Sequence, residues 1–320
     1  MMKQENPKVE SSSAHKLWKA IALLALSGLL LSSLSYYSIP DKEDQNFKQQ
    51  FNKAYRVYAL ELPKKLNFLS EEVPVHRSDV YESLDREMLV NTYWQSQTLL
   101  FFKRAKKWLP QIETLLEKEG IPNDFKYLAL IESGLLDIVS PSGAVGFWQI
   151  MKATGKEYGL RIDSEVDERY DLEKATSTAA KYLKEGYGKY GSWTLAAASY
   201  NMGMNGMDRT LVKQGVDNYY DLYLNPETAR YVYRMIAVKL IMESPSDFGF
   251  QFRDKDLYST VPVSVLNVDS SISNLSTFAQ EQGTTYKQLR LLNPWLRSNH
   301  VSPTSGGVLA IKIPKKDLKN

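Results

Sequence analysis

The sequence predicts a mainly α-helical protein that ends in a small α+β module with the strand and helix order βααβ. Apolar residues recur at the helical period through most of the central region, and two of its segments are rich in alanine. Two short stretches near the C-terminus are rich in β-branched residues instead. At 320 residues the chain is long enough for one to three domains with buried cores.

Residues 1–40 contain a segment that predicts a membrane anchor. No charged residue occurs from residue 20 to residue 40, and about 20 helical residues span a bilayer core. Lys16 and Lys19 precede this segment and acidic residues follow it, so we expect a cytoplasmic N-terminus and an exported body. A cleaved signal peptide is the alternative, and a buried helix of a soluble protein is a third reading.

Residues 41–105 are expected to form a polar stalk followed by an N-terminal helical extension. The apolar spacing from residue 80 predicts a long helix that ends near Pro110, because proline disrupts helix interiors. A second helix is predicted to end at Gly120, a natural C-cap, and Asn123 starts the next. Further helices are predicted at residues 173–190, 192–201 and 226–242.

The composition argues against several classes of function. The chain has no cysteine, which excludes disulfides, thiolate metal sites, a cysteine nucleophile and a lipid on an N-terminal cysteine. Its three histidines are far apart, so a histidine metal site or a Ser-His-Asp triad has little support. Four lysines and two glutamates in residues 1–40 account for +2 of the net charge of +3. The body is nearly neutral, and nucleic-acid binding is not expected.

Glu132 is the candidate catalytic residue. It follows Leu128, Leu130 and Ile131 in an apolar, helical stretch. A carboxyl partly withdrawn from water keeps its proton to higher pH, because desolvation penalises the charged form. Such a group can protonate a leaving oxygen, which is the acid step of glycosidic bond cleavage. The alternative is a helix residue with its carboxylate at the surface.

A second carboxyl with a matching position is not evident in the sequence. Asp137 is five residues further on, which points it to another side of the helix. Asp171 stands near a helix start and is expected to cap it. Because most glycosidases use two carboxylates, a single acid is awkward for an ordinary hydrolase.

Four motifs in a fixed order resemble a known family. After Glu132 and Ser133 come Gly146-Phe-Trp-Gln-Ile150, then Ser199-Tyr-Asn-Met-Gly203, then Glu227-Thr-Ala-Arg-Tyr-Val232. The order is similar to the lytic transglycosylase domain related to the soluble bacterial enzymes and to goose-type lysozyme. The resemblance covers residues 80–315, and the tail makes it most similar to the membrane-bound D type. It implies a lysozyme-like helical fold.

The resemblance also implies a reaction that needs one carboxyl and no metal or organic cofactor. Glu132 would protonate the oxygen between N-acetylmuramic acid and N-acetylglucosamine, and would then deprotonate the muramyl 6-hydroxyl as it attacks the anomeric carbon. The product is a 1,6-anhydro sugar. The remaining motif positions are implied to bind substrate or support the site: Ser133, Trp148, Gln149, Tyr200, Asn201 and Tyr231.

The C-terminal segment resembles LysM, a small module that binds N-acetylglucosamine polymers. The carrying motifs are Gly283-Thr-Thr, Leu292-Asn-Pro and Ile313-Pro314, within strands predicted near residues 261–266 and 308–313. The sequence departs from that family at residues 269–275, the turn that normally meets the sugar. Sugar binding and a purely structural role are therefore both open for the module.

These observations give four segments: a tail and anchor or signal (1–40), a stalk and extension (41–105), a catalytic domain (106–245) and a LysM-like module (260–315). We expect an exported monomer in the bacterial cell envelope that binds peptidoglycan strands and, through its N-terminal segment, the membrane. Two alternatives are a lysozyme-like hydrolase of the same fold and a non-catalytic peptidoglycan-binding scaffold.

Overall fold

The structure is a computed structural model that describes residues 57–315 and, before them, residues 42, 45, 46 and 49. The predicted anchor or signal segment lies outside these residues. Within the part that is described, none of the helices combines the length and the apolar character needed to cross a membrane.

The described chain is mainly helical, as the sequence predicts. A short antiparallel hairpin, β1 (Leu66–Phe68) and β2 (Glu71–Val73), comes first. The helices that follow it are α1 (Ser78–Tyr93), α2 (Gln95–Glu119), α3 (Lys126–Ser133), α4 (Lys152–Glu157), α5 (Leu172–Tyr190), α6 (Trp193–Met202), α7 (Met204–Gln214) and α8 (Pro226–Glu243). The helices predicted at residues 173–190, 192–201 and 226–242 are confirmed, whereas α4, α7 and the hairpin were not predicted.

Helix α3 is the centre of the helical body. Five consecutive residues, 127–131, are buried, so the helix is apolar on every side and must be enclosed by others. It packs against α2 and α8, while α8 also packs against α1 and α6. Helix α3 ends because Gly134 takes the left-handed conformation, with φ of 62°, and its N–H bonds to the carbonyl of Leu130.

The predicted helix end near Pro110 is wrong. Helix α2 continues through Pro110 to Gly120, because Leu109 and Ile112 on either side of the proline are buried and their packing offsets the lost hydrogen bond. The helix is interrupted earlier, at Trp94, between α1 and α2. There the hydroxyl of Thr98 donates a hydrogen bond to the carbonyl of Asn91. Helix α2 therefore also crosses the boundary expected between residues 105 and 106, where the catalytic domain was predicted to start.

The hairpin β1–β2 lies inside the segment expected to be a polar stalk. Its two-residue turn, Leu69 and Ser70, has positive φ at both positions, as a tight hairpin turn requires. Phe68 and Leu69 are fully buried, and the Leu69 N–H bonds to Asp124 beside the start of α3. Burial of these two side chains fixes the hairpin to the helical body. The polar residues around it led to the prediction of a stalk instead.

The C-terminal module has the predicted βααβ order. Strand β3 (Val263–Val268) pairs antiparallel with β4 (Leu309–Pro314), and α9 (Leu275–Glu281) and α10 (Tyr286–Leu292) lie between them in sequence. The fully buried Asn293 exchanges hydrogen bonds with the backbone of Lys312 on β4. This asparagine ties the end of α10 to the sheet, which gives the Leu-Asn-Pro motif a structural reason.

Glu71 provides a test of how the hairpin stabilises the helical body. Its carboxylate accepts hydrogen bonds from the backbone N–H groups of Trp193 and Thr194 and from the Ser192 hydroxyl, at the start of α6. Anions at a helix N-terminus are stabilising. We predict that Glu71→Gln lowers the free energy of unfolding by about 1–2 kcal/mol.

The measurement is urea unfolding, with Glu72→Gln as the matched control on the neighbouring exposed position. The control is expected to stay within about 0.5 kcal/mol of the wild type. Equal unfolding midpoints for the two variants would show that the carboxylate of Glu71 adds nothing to the capping of α6.

Candidate active site

Glu132 lies in the last turn of α3, where the buried helix approaches the surface. Its neighbours Ile131 and Ser133 are buried, and Glu132 itself is half-buried. Loss of hydration through burial raises the pKa of its carboxyl, and the negative charge of Glu227 raises it further. The hydrogen bond from Tyr231 and the positive charge of Arg234 oppose this, but the net pKa remains raised. The Glu132 carboxyl therefore keeps its proton to a higher pH in this site than a glutamate does in water.

Tyr231 is the hydrogen-bond partner of the acid. It projects from α8, is buried, and donates its hydroxyl proton to Oε1 of Glu132. Burial and the adjacent Glu132 charge raise the pKa of Tyr231 well above its usual value, so the tyrosine stays a donor. Among the described residues no group donates a hydrogen bond to Oε2 of Glu132.

Tyr200 holds the loop that precedes α4. Its hydroxyl donates to the carbonyl of Trp148 at 2.8 Å, and its ring meets that of Tyr182 edge-on. Burial, and secondarily the charge of Glu132, raise the pKa of Tyr200 well above its usual value. The tyrosine is therefore a neutral donor that fixes the loop beside Glu132.

Ser133 follows the acid and makes backbone contacts. Its hydroxyl is buried, lies 3.0 Å from the carbonyl of Phe147, and accepts the N–H of Leu135 at 3.1 Å. Leu135 has a positive φ, of 58°, which is unusual for a branched side chain. Ser133 thus holds the strained turn after α3 and joins it to the loop that carries Trp148.

Trp148 and Gln149 are adjacent in the chain but differ in exposure. Trp148 is 0% exposed and donates its indole N–H to Thr176 on α5, so it has no surface to offer a ligand. Gln149 is half-buried, has a φ of 47°, and donates its amide protons to the carbonyls of Gly146 and Ile138. A non-glycine residue in this conformation is strained, a feature that gathers at functional sites.

Asn201 links α6 to the start of α8. Its amide N–H₂ donates to Glu227 at 3.0 Å, and its amide oxygen accepts the hydroxyl proton of Thr228 at 2.7 Å. Glu227 stands one helical turn before Tyr231, so both project from the same face of α8. Asn201 therefore orients the N-terminal turn of the helix that presents Tyr231 to the acid.

A cavity of about 580 Å³ opens beside Asn201 and Glu227. Arg209 and Lys213 on α7 give part of its lining a positive charge, and Glu132 is not among its lining residues. The cavity therefore does not contain the acid, and Glu227 is the lining residue whose charge acts on it.

Two further acidic residues have different roles. Asp171 caps α5 by accepting the N–H of Lys174 at 3.0 Å, as predicted. Asp137 lies beyond the end of α3 rather than on it; its surface is exposed, yet surrounding protein removes enough hydration to raise its pKa to about 6. Arg297 and Lys107 partly offset this effect. In residues 57–315 no three histidine, aspartate or glutamate side chains cluster as a metal site would require.

The sequence reasoning missed two residues that act on the acid, Glu227 and Arg234. Glu227 stands in the quoted motif four residues before Tyr231, so helical spacing alone placed it on the tyrosine's face. Arg234 is three residues after Tyr231 on the same helix, so helical spacing places it close to the tyrosine's face as well.

Two family models match the chain. The transglycosylase SLT domain matches residues 111–222, and the soluble lytic transglycosylase C-terminal LysM-like domain matches residues 264–317. The membrane-bound lytic murein transglycosylase D of Escherichia coli K12 is 25% identical over 220 residues, which cover 67% of this chain and 47% of that protein. A putative tributyltin chloride resistance protein of an Alteromonas species is 30% identical over 102 residues, 31% of this chain and 49% of that protein.

The chain thus spans about half the length of these curated relatives. Among solved structures, an inactive mutant of the lytic transglycosylase Slt of Pseudomonas aeruginosa covers 45% of this chain and 24% of its own, with 21% identity and a TM-score of 0.37. The match to the 70-kDa soluble lytic transglycosylase in complex with bulgecin A covers 57% of this chain and 33% of that protein, with 18% identity and a TM-score of 0.39. The two domain matches agree with the helical body and the βααβ module described above. The chain therefore carries a transglycosylase SLT domain followed by a soluble lytic transglycosylase C-terminal LysM-like domain.

Proposed function

We propose that the protein is a lytic transglycosylase that cleaves the glycan strands of peptidoglycan, with Glu132 as acid and then base. One observation carries the proposal: a half-buried carboxyl with a raised pKa has one oxygen held by Tyr231 and, among the described residues, the other without a donor. The SLT domain match supports the substrate class.

In the first step protonated Glu132 gives its proton to the oxygen between N-acetylmuramic acid and N-acetylglucosamine, and the bond from that oxygen to the anomeric carbon breaks. The 2-acetamido group of the muramyl sugar holds the positive charge that develops. Glu132 becomes a carboxylate, and the hydroxyl of Tyr231 stabilises that charge by donating to Oε1. The donor is in place before the charge forms, so no side chain has to reorganise.

In the second step the Glu132 carboxylate takes the proton of the muramyl 6-hydroxyl while that oxygen bonds to the anomeric carbon. A 1,6-anhydro ring closes, Glu132 regains its proton, and no water is consumed. One carboxyl serves both steps because burial raises its pKa and favours the acid, while the hydrogen bond from Tyr231 stabilises the carboxylate that the first step leaves. The cycle needs neither a metal nor an organic cofactor.

The other motif residues support the site in different ways. We infer that the amide oxygen of Gln149 faces the glycan, since both protons of that amide bond the protein's own backbone. Asn201 orients α8, and Tyr200 orients the loop at residues 139–150. Ser133 and Trp148 hold the same loop through buried hydrogen bonds.

The location follows from the same proposal. The substrate lies outside the cytoplasm, and the charge pattern around residues 20–40 favours an exported body held at the membrane. The name of the Escherichia coli relative, a membrane-bound murein transglycosylase, agrees with the cell envelope. We propose that the working unit is a monomer on the peptidoglycan.

A hydrolase is the second candidate, and Glu227 favours it. The charge of this carboxyl raises the pKa of the acid, and Glu227 lines the cavity described above. In that case Glu227 would activate a water molecule as the base of a two-carboxylate mechanism. We rank it second because Asn201 already engages the Glu227 carboxylate at 3.0 Å.

Replacing the acid separates catalysis from binding. Glu132→Gln keeps the shape and the Tyr231 partner but has no proton to give, so the cleavage rate should fall by about a thousandfold. The measurement is mass spectrometry of the soluble products released from peptidoglycan. Glu117→Gln, an exposed change on α2, is the matched control and should release anhydromuramyl products as the wild type does.

Three results would contradict parts of the proposal. Unchanged cleavage by Glu132→Gln would remove Glu132 from its role. Reducing-end products that disappear in Glu227→Gln would indicate the hydrolase. Pelleting with peptidoglycan but no cleavage by the wild type would indicate a binding scaffold.

The pH profile tests the charges that set the pKa of the acid. The rate should fall as pH rises through the pKa of Glu132, because only the protonated form donates. Glu227→Gln removes a charge that raises this pKa, so the fall should move to lower pH; Arg234→Gln removes a charge that lowers it, so the fall should move to higher pH. Rates across pH for both variants check the pair, and shifts in the same direction would contradict the account.

A further inference from the structure

The C-terminal module is joined to the helical body by backbone hydrogen bonds. The segment at residues 161–171 runs along the module: the N–H of Asp167 bonds to the carbonyl of Trp295 at 2.9 Å, and the N–H of Arg297 bonds to the carbonyl of Glu165 at 2.7 Å. Val166 forms a β-bridge with Leu296 between these two bonds. Such a ladder sets the register between the two parts, unlike a flexible linker.

Side chains reinforce the same contact. Arg161 donates to the carbonyl of Ser302 at 2.7 Å, and Glu165 accepts the N–H of Ser302 at 2.9 Å. The guanidinium of Arg297 lies 4.2 Å from the centre of the Tyr170 ring. Apolar residues of the body also complete the module's core: Val145, Val166 and Tyr170 are buried in one cluster with Trp295 and Leu296.

The segment at residues 161–171 also holds the loop of the candidate active site. Asp167, whose N–H bonds the module, binds the guanidinium of Arg169 through both carboxylate oxygens, at 2.9 and 2.7 Å. Arg169 in turn donates to the carbonyl of Ile150 at 3.1 Å. Both charged side chains are buried, where a matched and fully bonded pair is costly to disturb.

The loop and the segment touch at their backbones as well. A Cβ added to Gly146, which has a φ of 77°, would lie 2.3 Å from the carbonyl oxygen of Arg169, so no side chain fits between them. Val145 pairs with Ile150 in a β-bridge and places its own side chain in the module's core. The loop is therefore clamped from the side that faces the module.

The clamped loop reaches the acid within a few residues. The carbonyl of Phe147 receives the hydroxyl of Ser133, next to Glu132, and the carbonyl of Trp148 receives that of Tyr200. Continuous contacts thus run from the module through Asp167, Arg169 and the loop at residues 139–150 to the residues around Glu132.

We propose that the LysM-like module is a fixed brace of the active-site loop, with Asp167 and Arg169 as positioning residues, rather than a tethered sugar-binding domain. The proposal rests on the transglycosylase function for its kinetic consequence, but its structural consequence stands independently. A brace predicts that loosening the module disturbs the loop, even on substrates too short to reach the module.

The test uses the full chain with the double change Arg161→Ala and Glu165→Ala, which removes the side-chain bonds to Ser302 from the body. The matched control is Arg290→Ala, because among residues 57–315 the hydrogen bonds of Arg290 go to Tyr286 and Ser298, both within the module. The first readout is hydrogen exchange of the peptide covering residues 138–150. We expect faster exchange there in the double variant and wild-type exchange in the control.

The second readout is turnover of short, soluble peptidoglycan fragments. In the double variant kcat should fall by about tenfold with little change in KM, and pelleting with peptidoglycan should persist. Wild-type exchange of the loop in the double variant would overturn the brace. Faster loop exchange with no cleavage even by the wild type would sustain the brace and remove the proposed function instead.

Discussion

The burial of helix α3 is the constraint on which the rest of the structure depends. The helix is apolar on every side, so it must be surrounded, and α2 and α8 enclose it. The one carboxyl in its final turn, Glu132, is half-buried as a result. The burial that stabilises the helix also removes hydration from this carboxyl and raises its pKa. Tyr231 on α8 meets that carboxyl because α8 is one of the enclosing helices. Packing and acidity are thus two results of one arrangement.

Much of this arrangement was readable from the sequence. Helical spacing, the glycine cap at residue 120 and the βααβ order were predicted correctly, because they depend on local patterns. The helix through Pro110 and the hairpin around Leu69 were not, since long-range packing outweighs a local preference there. The motif residues were identified as a set, but their separate positions, such as a wholly buried Trp148 beside a half-exposed Gln149, depend on a turn with positive φ that no periodicity reveals.

The same contrast applies to the C-terminal module. Its sequence resembles a sugar-binding domain but departs from that family's pattern at residues 269–275. Its contacts with the body lie elsewhere, at residues 295–302. Those contacts come from backbone groups and from the side chains of residues, such as Arg161 and Glu165, that carry no recognisable motif. In the proposed brace, the module therefore positions the loop at residues 139–150 through this contact and not through the turn at residues 269–275.

In the proposed cycle a single carboxyl completes the reaction without water. The most direct measurement is digestion of peptidoglycan by the purified protein in water enriched with heavy oxygen, followed by mass spectrometry of the released ends. We expect muramyl ends that carry no label and that are lighter than reducing ends by one water, because the 6-hydroxyl is the attacking group. One heavy oxygen at each new reducing end would contradict it and would assign the second step to an activated water.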